Sequence, residues 1–171
     1  MTDTQGYTPE DIEQFLQVNK IEEEKEDKQT FAKLLRVQSK ISIIANIDPQ
    51  DLKAIIYNLK FIKFNYKDYI IEDGDISQEI FFILSGQCQV FHKGKKIGTL
   101  ETGKTFGESA AIFSTKRSAS VVCSSQNTTL LSFSINHDNM EFCSVALATL
   151  YKNLALQIDT KLRAMNESKV K

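Results

Sequence analysis

Apolar positions recur at two different spacings along the chain, and the change of spacing divides it into three regions. Before about residue 60 and again after Asn136, apolar residues recur every three or four positions, which is the period of an amphipathic helix. Between these regions, short apolar runs alternate with turn residues, which is typical of β-strands joined by tight connections. The pattern predicts helices, then a β-domain, then a C-terminal helical segment.

Two helix-start signals precede the β-domain. Thr8 and Asp48 are each followed by proline and by an acidic residue within the next three positions, so that the side chain can cap the helix and proline can fill its first position. The second signal precedes an apolar stripe at helical spacing, made of Leu52, Ile55, Ile56 and Leu59. We therefore predict a helix that starts at Pro49 and reaches Leu59. The mixed charges of residues 22–28 predict a solvated helix face or a linker.

The β-domain is predicted to contain seven short strands. They are Phe61–Phe64, Tyr69–Ile71, Ile80–Leu84, Gln87–Phe91, Lys96–Leu100, Ser118–Cys123 and Leu130–Ile135. Most connections are too short to hold a crossover helix, so hairpins predict an antiparallel sheet in a barrel or jelly roll. In the last region, a stripe at helical spacing predicts a helix of about five turns. Its members are Leu147, Leu150, Leu154, Ile158, Leu162 and Met165.

The segment between the predicted strands Lys96–Leu100 and Ser118–Cys123 contains candidate ligand-binding residues. Gly107 allows unusual backbone angles, residues 108–112 can form a single helical turn, and Lys116 and Arg117 follow shortly after. The first N–H groups of such a turn are free and carry a partial positive charge, and an arginine a few residues later can converge on the same point. These two features predict an anion site for one phosphate.

A second motif points to a different class of protein. The segment from Gly98 to Thr105 satisfies the P-loop pattern, in which glycine is followed five residues later by Gly-Lys-Thr. That pattern binds polyphosphate only between a buried parallel strand and a long helix. Here the preceding segment, Lys95-Lys96-Ile97, is not a buried apolar strand, and antiparallel-type strands flank the motif. Glu101 would also place a carboxylate inside the phosphate cradle. We therefore set aside the interpretation as an ATPase or GTPase.

The residues around the predicted helical turn resemble the phosphate-binding cassette of cyclic nucleotide-binding domains. The matching segments are Phe106-Gly107-Glu108-Ser109-Ala110 and Arg117-Ser118-Ala119-Ser120, with Gly74, Gly86 and Gly103 at the family's spacing before them. Such domains occur in regulatory subunits of cyclic-AMP-dependent kinase, in cyclic-nucleotide-gated channels and in bacterial catabolite activators. The resemblance covers about residues 30–165. It implies an antiparallel jelly-roll barrel with N-terminal helices, a short cassette helix inside the barrel and a C-terminal helical segment.

The resemblance also implies roles for the residues of this cassette. Arg117 would pair with the charge of the cyclic phosphate, and the backbone N–H groups of Ala110 and Ala119 would bond the same oxygens. Glu108 would accept a hydrogen bond from the ribose 2′-hydroxyl, and Gly107 would let the ribose approach the backbone. Ser109 lies within the same ligand-binding segment.

Base recognition is less defined. Ser118 stands where the family associates threonine with cGMP and alanine with cAMP, so serine leaves the choice of nucleotide open. Tyr151 and Leu154 are candidates for capping the base from the C-terminal helix. The alternative, plain core packing, is at least as well supported by their helical spacing.

Several positions depart from the family pattern. Lys67 and Ser114 stand where the family has glycine, and Lys116 stands where it often has proline. Ser109 replaces an aliphatic residue, and Ala111 replaces the leucine that couples the cassette to the C-terminal helix in the family. We expect the loss of apolar bulk at these last two positions to affect switching more than binding.

Composition and charge limit the partners and the cellular compartment that we expect for this protein. The 171 residues carry 21 basic and 22 acidic side chains, so the net charge of −1 disfavours a polymer of nucleic acid as partner. Apolar runs fall short of the roughly 20 residues of a membrane span, so we expect no membrane insertion. Three cysteines and two histidines without metal-ligand spacing predict reduced thiols in a cytoplasmic protein and no metal or resident cofactor.

The sequence therefore predicts a stand-alone, non-enzymatic module that binds cAMP or cGMP as a regulatory or sensor subunit. We expect it to act through a protein effector or a larger protein assembly, with the helices at both ends of the domain forming the docking surface. The predicted divisions are an N-terminal extension over 1–29, the binding domain over 30–165 and a polar tail over 166–171. The alternative is a degenerate fold that serves as a structural docking subunit without ligand.

Overall fold

The helices before the β-domain follow the predicted start signal. The computed structural model describes residues 28–135 and 144–169, so the signal at Thr8 lies outside the described residues. Residues 28–37 are helical (α1), and a 3-10 turn over Gln38–Lys40 follows them. Helix α2 (Pro49–Ile55) begins where predicted, because the Asp48 carboxylate accepts a hydrogen bond of 2.8 Å from the backbone N–H of Gln50.

The prediction that this helix reaches Leu59 is wrong. Helix α2 ends at Ile55, and strand β1 (Ile56–Phe64) follows it without a loop. Strand β1 pairs antiparallel with the strand over Thr128–Ile135, from Ile56 opposite Ile135 to Phe64 opposite Thr128. A register shift between Tyr57 and Lys60 lets both the helical and the strand spacing fit the same apolar residues. Long-range strand pairing therefore overrides the local helical pattern.

The strands form two antiparallel sheets of four strands each. The remaining strands are β2 (Tyr69–Ile71), β3 (Ile80–Ser85), β4 (Gln87–His92), β5 (Lys95–Glu101), β6 (Thr105–Phe106), β7 (Ser120–Cys123) and β8 (Thr128–Ile135). One sheet has the order β1-β8-β3-β6 and the other β2-β7-β4-β5. The predicted fold class, an antiparallel jelly roll with flanking helices, is confirmed. The strands are divided between two sheets, and the two-residue strand β6 is an addition to the predicted seven.

Strand β3 is buried on both faces, which explains its unbroken apolar sequence. Ile80 and Phe82 belong to a larger apolar cluster that includes Leu34 of α1 and Leu52 of α2. Phe81 and Ile83 point the other way into a smaller cluster between the sheets. That smaller cluster also contains Ile71, Cys88, Phe106, Val121 and Leu130.

Helix α4 (Ser144–Lys169) confirms the predicted C-terminal helix. Its buried side chains Leu147, Leu150 and Leu154 pack into the larger cluster. Beyond Leu154 the apolar stripe is not buried, since Ile158 and Leu162 are 42% and 54% exposed. Among the described residues, no helix combines the length and the apolar character needed to cross a membrane.

The described cysteines and the P-loop motif lie in the strands and turns of the β-domain. Cys88 and Cys123 are free, buried thiols opposite each other on β4 and β7. Cys143 lies outside the described residues. The P-loop motif runs along β5, which pairs antiparallel with β4, and then into the turn before β6. The motif has no P-loop geometry here, because no parallel strand precedes it among the described residues. The next helix, α3 (Glu108–Phe113), also has only six residues.

Candidate functional site

Helix α3 (Glu108–Phe113) lies between β6 and β7, and Gly107 is its N-cap residue. Gly107 has φ of +86°, a backbone conformation that L side chains rarely adopt. A Cβ atom at this position would lie 2.7 Å from Nη1 of Arg117 and 2.8 Å from the carbonyl oxygen of Glu79. Glycine is therefore needed both for the turn and for the close approach of Arg117.

Arg117 is buried, and the protein itself supplies its hydrogen-bond acceptors. Nη1 donates to the carbonyl oxygen of Gly107 and Nη2 to that of Glu79, both at 2.8 Å. Nε donates to the hydroxyl of Ser77 at 3.1 Å. Burial lowers the pKa of Arg117, and the nearby carboxylates of Glu79, Asp75 and Glu108 act in the opposite direction. The guanidinium thus stays charged and is fixed beside the start of α3.

Glu108, the first residue of α3, is tied to helix α4. Its Oε1 atom accepts a hydrogen bond of 2.6 Å from the Thr105 hydroxyl and forms an ion pair of 2.7 Å with Nζ of Lys161. Lys161 also donates to the carbonyl oxygen of Thr105 at 3.0 Å. The carboxylate is buried, whereas the side chain of Lys161 is 43% exposed. The ion pair therefore lies at the edge of the cassette, which comprises residues 106–120.

Gln157 extends this polar cluster to the segment after α1. Its side-chain amide contacts the hydroxyl of Thr105 on one side and the hydroxyl of Ser42 on the other. A cavity of about 300 Å³ lies here, and its lining includes Ser42, Lys104, Thr105, Gln157 and Lys161. Gly107 and Arg117 are not among the described residues of that lining, so the cavity borders the cassette without containing its arginine.

The structure brings together some of the predicted site residues and separates others. Gly107, Glu108 and Ala110 form the start of α3, and Arg117 contacts the Gly107 carbonyl. Ser109 and Ser118 are exposed, Ala119 is half-buried, and the Ser118 carbonyl oxygen lies 2.8 Å from Nδ1 of His92.

The two base-capping candidates, Tyr151 and Leu154, pack in or against the larger apolar cluster. Their position agrees with the core-packing alternative. Burial also raises the pKa of Tyr151. Two α4 residues farther along the helix reach this site: Gln157 contacts Thr105, just before the cassette, and Lys161 pairs with Glu108 inside it.

Sequence reasoning missed Gln157 and Lys161, although a signal for them exists. The spacing of Leu147, Leu150 and Leu154 continues onto positions 157 and 161 as regularly as onto Ile158 and Leu162. Hydropathy favours Ile158 and Leu162 as the inward-facing residues. In the structure these two are exposed, whereas Gln157 and Lys161 make the contacts near the cassette. Glu79 and Ser77 were missed because they contact Arg117 from about 40 residues away in sequence.

Comparison with known proteins identifies the β-domain. Residues 61–140 match the family model described as "Cyclic nucleotide-binding domain". Residues 61–140 belong to the cyclic nucleotide-binding domain family. A curated relative is the human potassium/sodium hyperpolarization-activated cyclic nucleotide-gated channel 2, 36% identical over 86 residues. That match covers 50% of this chain and only 10% of the channel.

Solved structures agree on the cyclic nucleotide-binding fold. A cyclic nucleotide-binding domain from Methylobacillus flagellatus KT superposes with a TM-score of 0.65 at 18% identity, covering 82% of each chain. A cAMP-bound PfPKA-R structure superposes with a TM-score of 0.62 at 19% identity, covering 83% of this chain and 48% of the other. At these identities the likeness establishes the fold.

Two residues that depart from the family pattern of this cyclic nucleotide-binding domain have positive φ angles. Lys67 and Ser114, which stand where glycine is usual, have φ of +73° and +50°. The chain therefore keeps the glycine-type backbone at both turns without the glycine. Of the two positions expected to lose apolar bulk, Ala111 is buried, whereas Ser109 is exposed.

Proposed function

We propose that this domain binds a cyclic nucleotide, cAMP or cGMP, and acts as a regulatory or sensor module rather than as an enzyme. The observation that carries the proposal is the convergence of Arg117 on the start of α3. A buried guanidinium and the N–H groups of a helix start, placed side by side, supply positive charge for one anion. The family membership of residues 61–140 supports a cyclic nucleotide as that anion.

Each predicted site residue has a proposed role in this complex. Arg117 pairs with the cyclic phosphate, and the N–H groups of Ala110 and Ala119 bond the same oxygens. The described hydrogen bonds engage three of the five N–H donors of Arg117, and Nη2 also lies 3.7 Å from Oε2 of Glu79. Glu108 accepts from the ribose 2′-hydroxyl, with Gly107 and Ser109 beside the sugar. Ser118 contacts the base.

Calorimetric titration with cAMP and with cGMP tests the proposal. Arg117→Ala removes charged hydrogen bonds of about 1.5–3 kcal/mol, so we expect a loss of about ten- to a hundredfold in affinity. Arg163→Ala is the matched control, because Arg163 is exposed and pairs with Asp159 on the far part of α4. Denaturation curves show whether each variant is folded. Arg117→Ala binding as tightly as the unchanged protein would refute the site.

The same contacts favour a second candidate, a docking subunit that takes no ligand. Arg117 and Glu108 are already satisfied by groups of the protein, as expected if they hold the cassette together. Saturable heat with either nucleotide would exclude this candidate, and no heat with both would support it.

For either candidate we propose that residues 30–165 form the functional unit and that a protein effector or a larger assembly is its partner. The exposed apolar side chains Leu156, Ile158 and Leu162 of α4 support such a contact.

A further inference from the structure

The charge of the chain is divided unevenly between its first residues and the rest. Residues 1–27 contain nine acidic and two basic side chains, whereas residues 28–171 contain 13 acidic and 19 basic ones. The overall net charge of −1 therefore combines an acidic N-terminal segment with a basic remainder. Because opposite charges attract, this segment is drawn towards the surface of the domain that follows it.

A groove with positive charge lies where this segment joins the domain. A cavity of about 460 Å³ is formed by the start of α1 and by the junction of α2 with β1. Its lining includes two exposed lysines and four apolar or aromatic residues, namely Lys28, Lys53, Phe31, Ile56, Tyr57 and Leu59. Among the described residues that line it, none is acidic. The groove therefore suits a partner that is apolar on one face and acidic beside it.

The sequence of residues 8–21 has this complementary pattern. The helix that the Thr8 signal predicts carries Ile12, Phe15 and Leu16 on one face, and positions 10, 11 and 13 are acidic. A helix of this length is marginal in water by itself, so it needs a surface on which to bury its apolar face.

The groove is within reach of this helix. Residue 28 lines the groove, so residues 1–27 leave the domain at the groove itself. Eleven residues, 17–27, connect Leu16 to that point and can span up to about 36 Å when extended. The connection is therefore long enough for the predicted helix to turn back onto the groove.

We propose that residues 8–21 dock in this groove of their own chain. The apolar face formed by Ile12, Phe15 and Leu16 covers the aromatic and aliphatic lining, and the acidic side chains beside it lie near Lys28 and Lys53. The docked segment shields the exposed aromatic side chain of β1 at the groove from water. This contact does not require a nucleotide and is therefore independent of the proposed function.

Amide hydrogen exchange on the full chain tests whether the segment is docked. We expect the amides of residues 9–21 to exchange about tenfold or more slowly than those of a synthetic peptide of residues 1–27, because the peptide has no groove to bind. Equal exchange in the protein and in the peptide would overturn the proposal.

Two substitutions in the groove test where the segment docks. Tyr57→Ser removes apolar contact area, and Lys53→Glu replaces an attraction by a repulsion. We expect exchange over residues 9–21 to become about two- to tenfold faster in each. Tyr69→Ser and Lys152→Glu are the matched controls, because they change an exposed tyrosine of β2 and an exposed lysine of α4 that do not line the groove. Both controls should match the unchanged protein.

A substitution within the segment provides a check that leaves the domain intact. Phe15→Ser should speed exchange over residues 9–21 about tenfold, even if a groove variant proves unstable. Unchanged exchange of the β3 amides identifies the variants that are folded. Slow exchange that persists in folded Tyr57→Ser and Lys53→Glu, or that is lost equally in Lys152→Glu, would place the segment elsewhere and overturn the proposal.

Sedimentation velocity at several protein concentrations distinguishes the groove of the same chain from that of a second copy. Docking within one chain predicts a monomer whose slow exchange over residues 9–21 is independent of concentration. Slow exchange that appears only together with a dimer would mean that the segment binds a second copy, and docking within the chain would be refuted.

Discussion

Gly107 offers a sharp test of how the cassette is built, because the chain contains a second glycine with the same backbone angle. Gly107 and Gly103 both have φ of +86°, so an alanine meets the same unfavourable backbone conformation at both positions. At Gly103 a Cβ atom would have no neighbour within 4 Å, whereas at Gly107 it would collide with Arg117 and with the Glu79 carbonyl. The pair of variants separates backbone strain from the collision.

The expected magnitudes follow from these two contributions. Alanine in the left-handed region costs about 1–2 kcal/mol, offset in part by its smaller unfolded-state entropy, and this applies to both variants. The collision adds about 1–3 kcal/mol at Gly107, because the buried guanidinium and a backbone carbonyl must both move. In a chain of 171 residues each kcal/mol lowers Tm by about 2–4 °C. Gly107→Ala should therefore melt about 2–12 °C below Gly103→Ala.

Urea and thermal denaturation followed by circular dichroism measure the difference. The two variants should share the same urea dependence and differ in midpoint. Equal midpoints would mean that Arg117 does not press against the start of α3, and the described cassette geometry would then be wrong. Nucleotide titration of the folded Gly107→Ala protein gives a second reading, since a displaced Arg117 should also weaken binding.

Two further predictions concern single side chains. Ser118→Ala should weaken the binding of cGMP about two- to tenfold, because one neutral hydrogen bond to the guanine amine is lost. Competition titrations should show that the affinity for cAMP changes by no more than about twofold. An equal loss of affinity for both nucleotides would refute recognition of the base by Ser118. Burial, with a smaller effect of nearby Cys123, raises the pKa of Cys88 from 9.0 to about 12. Between these values the unfolded state releases a proton that the folded state keeps, so the unfolding free energy should fall by up to about 1.4 kcal/mol per pH unit above pH 9. Urea denaturation of Cys88→Ala over this range should give a shallower fall, and an identical slope would contradict the assignment.

Local signals were sufficient for most of the strands. Turn residues such as Gly86 and Gly103, both at positive φ, separate apolar runs whose bounds the structure moves by a few residues. At the junction of α2 and β1, Ile56 and Leu59 fit a helix and a strand equally well. Pairing with a strand about 70 residues away decides between the two, and no local pattern contains that information.

The site was predictable in its residues and not in their partners. Spacing placed Glu108 and Arg117 in one segment, because a short helical turn after glycine and a following arginine is a local arrangement. The groups that satisfy them, the Glu79 carbonyl and Lys161, come from a loop and a helix brought near by the tertiary fold. A backbone carbonyl leaves no trace in the sequence, and a lysine on a partly exposed helix looks like any solvated charge.

The burial of β3 on both faces gives the molecule a fixed frame of reference. The strand cannot slide without disturbing the packing of Ile80 and Phe82 on one side and of Phe81 and Ile83 on the other. Glu79 comes immediately before this strand, and its carbonyl oxygen holds Arg117. The arginine is thus held beside a strand that is packed on both faces, whereas the second half of α4 is largely exposed. A conformational change caused by anion binding would therefore displace the helices rather than the sheet.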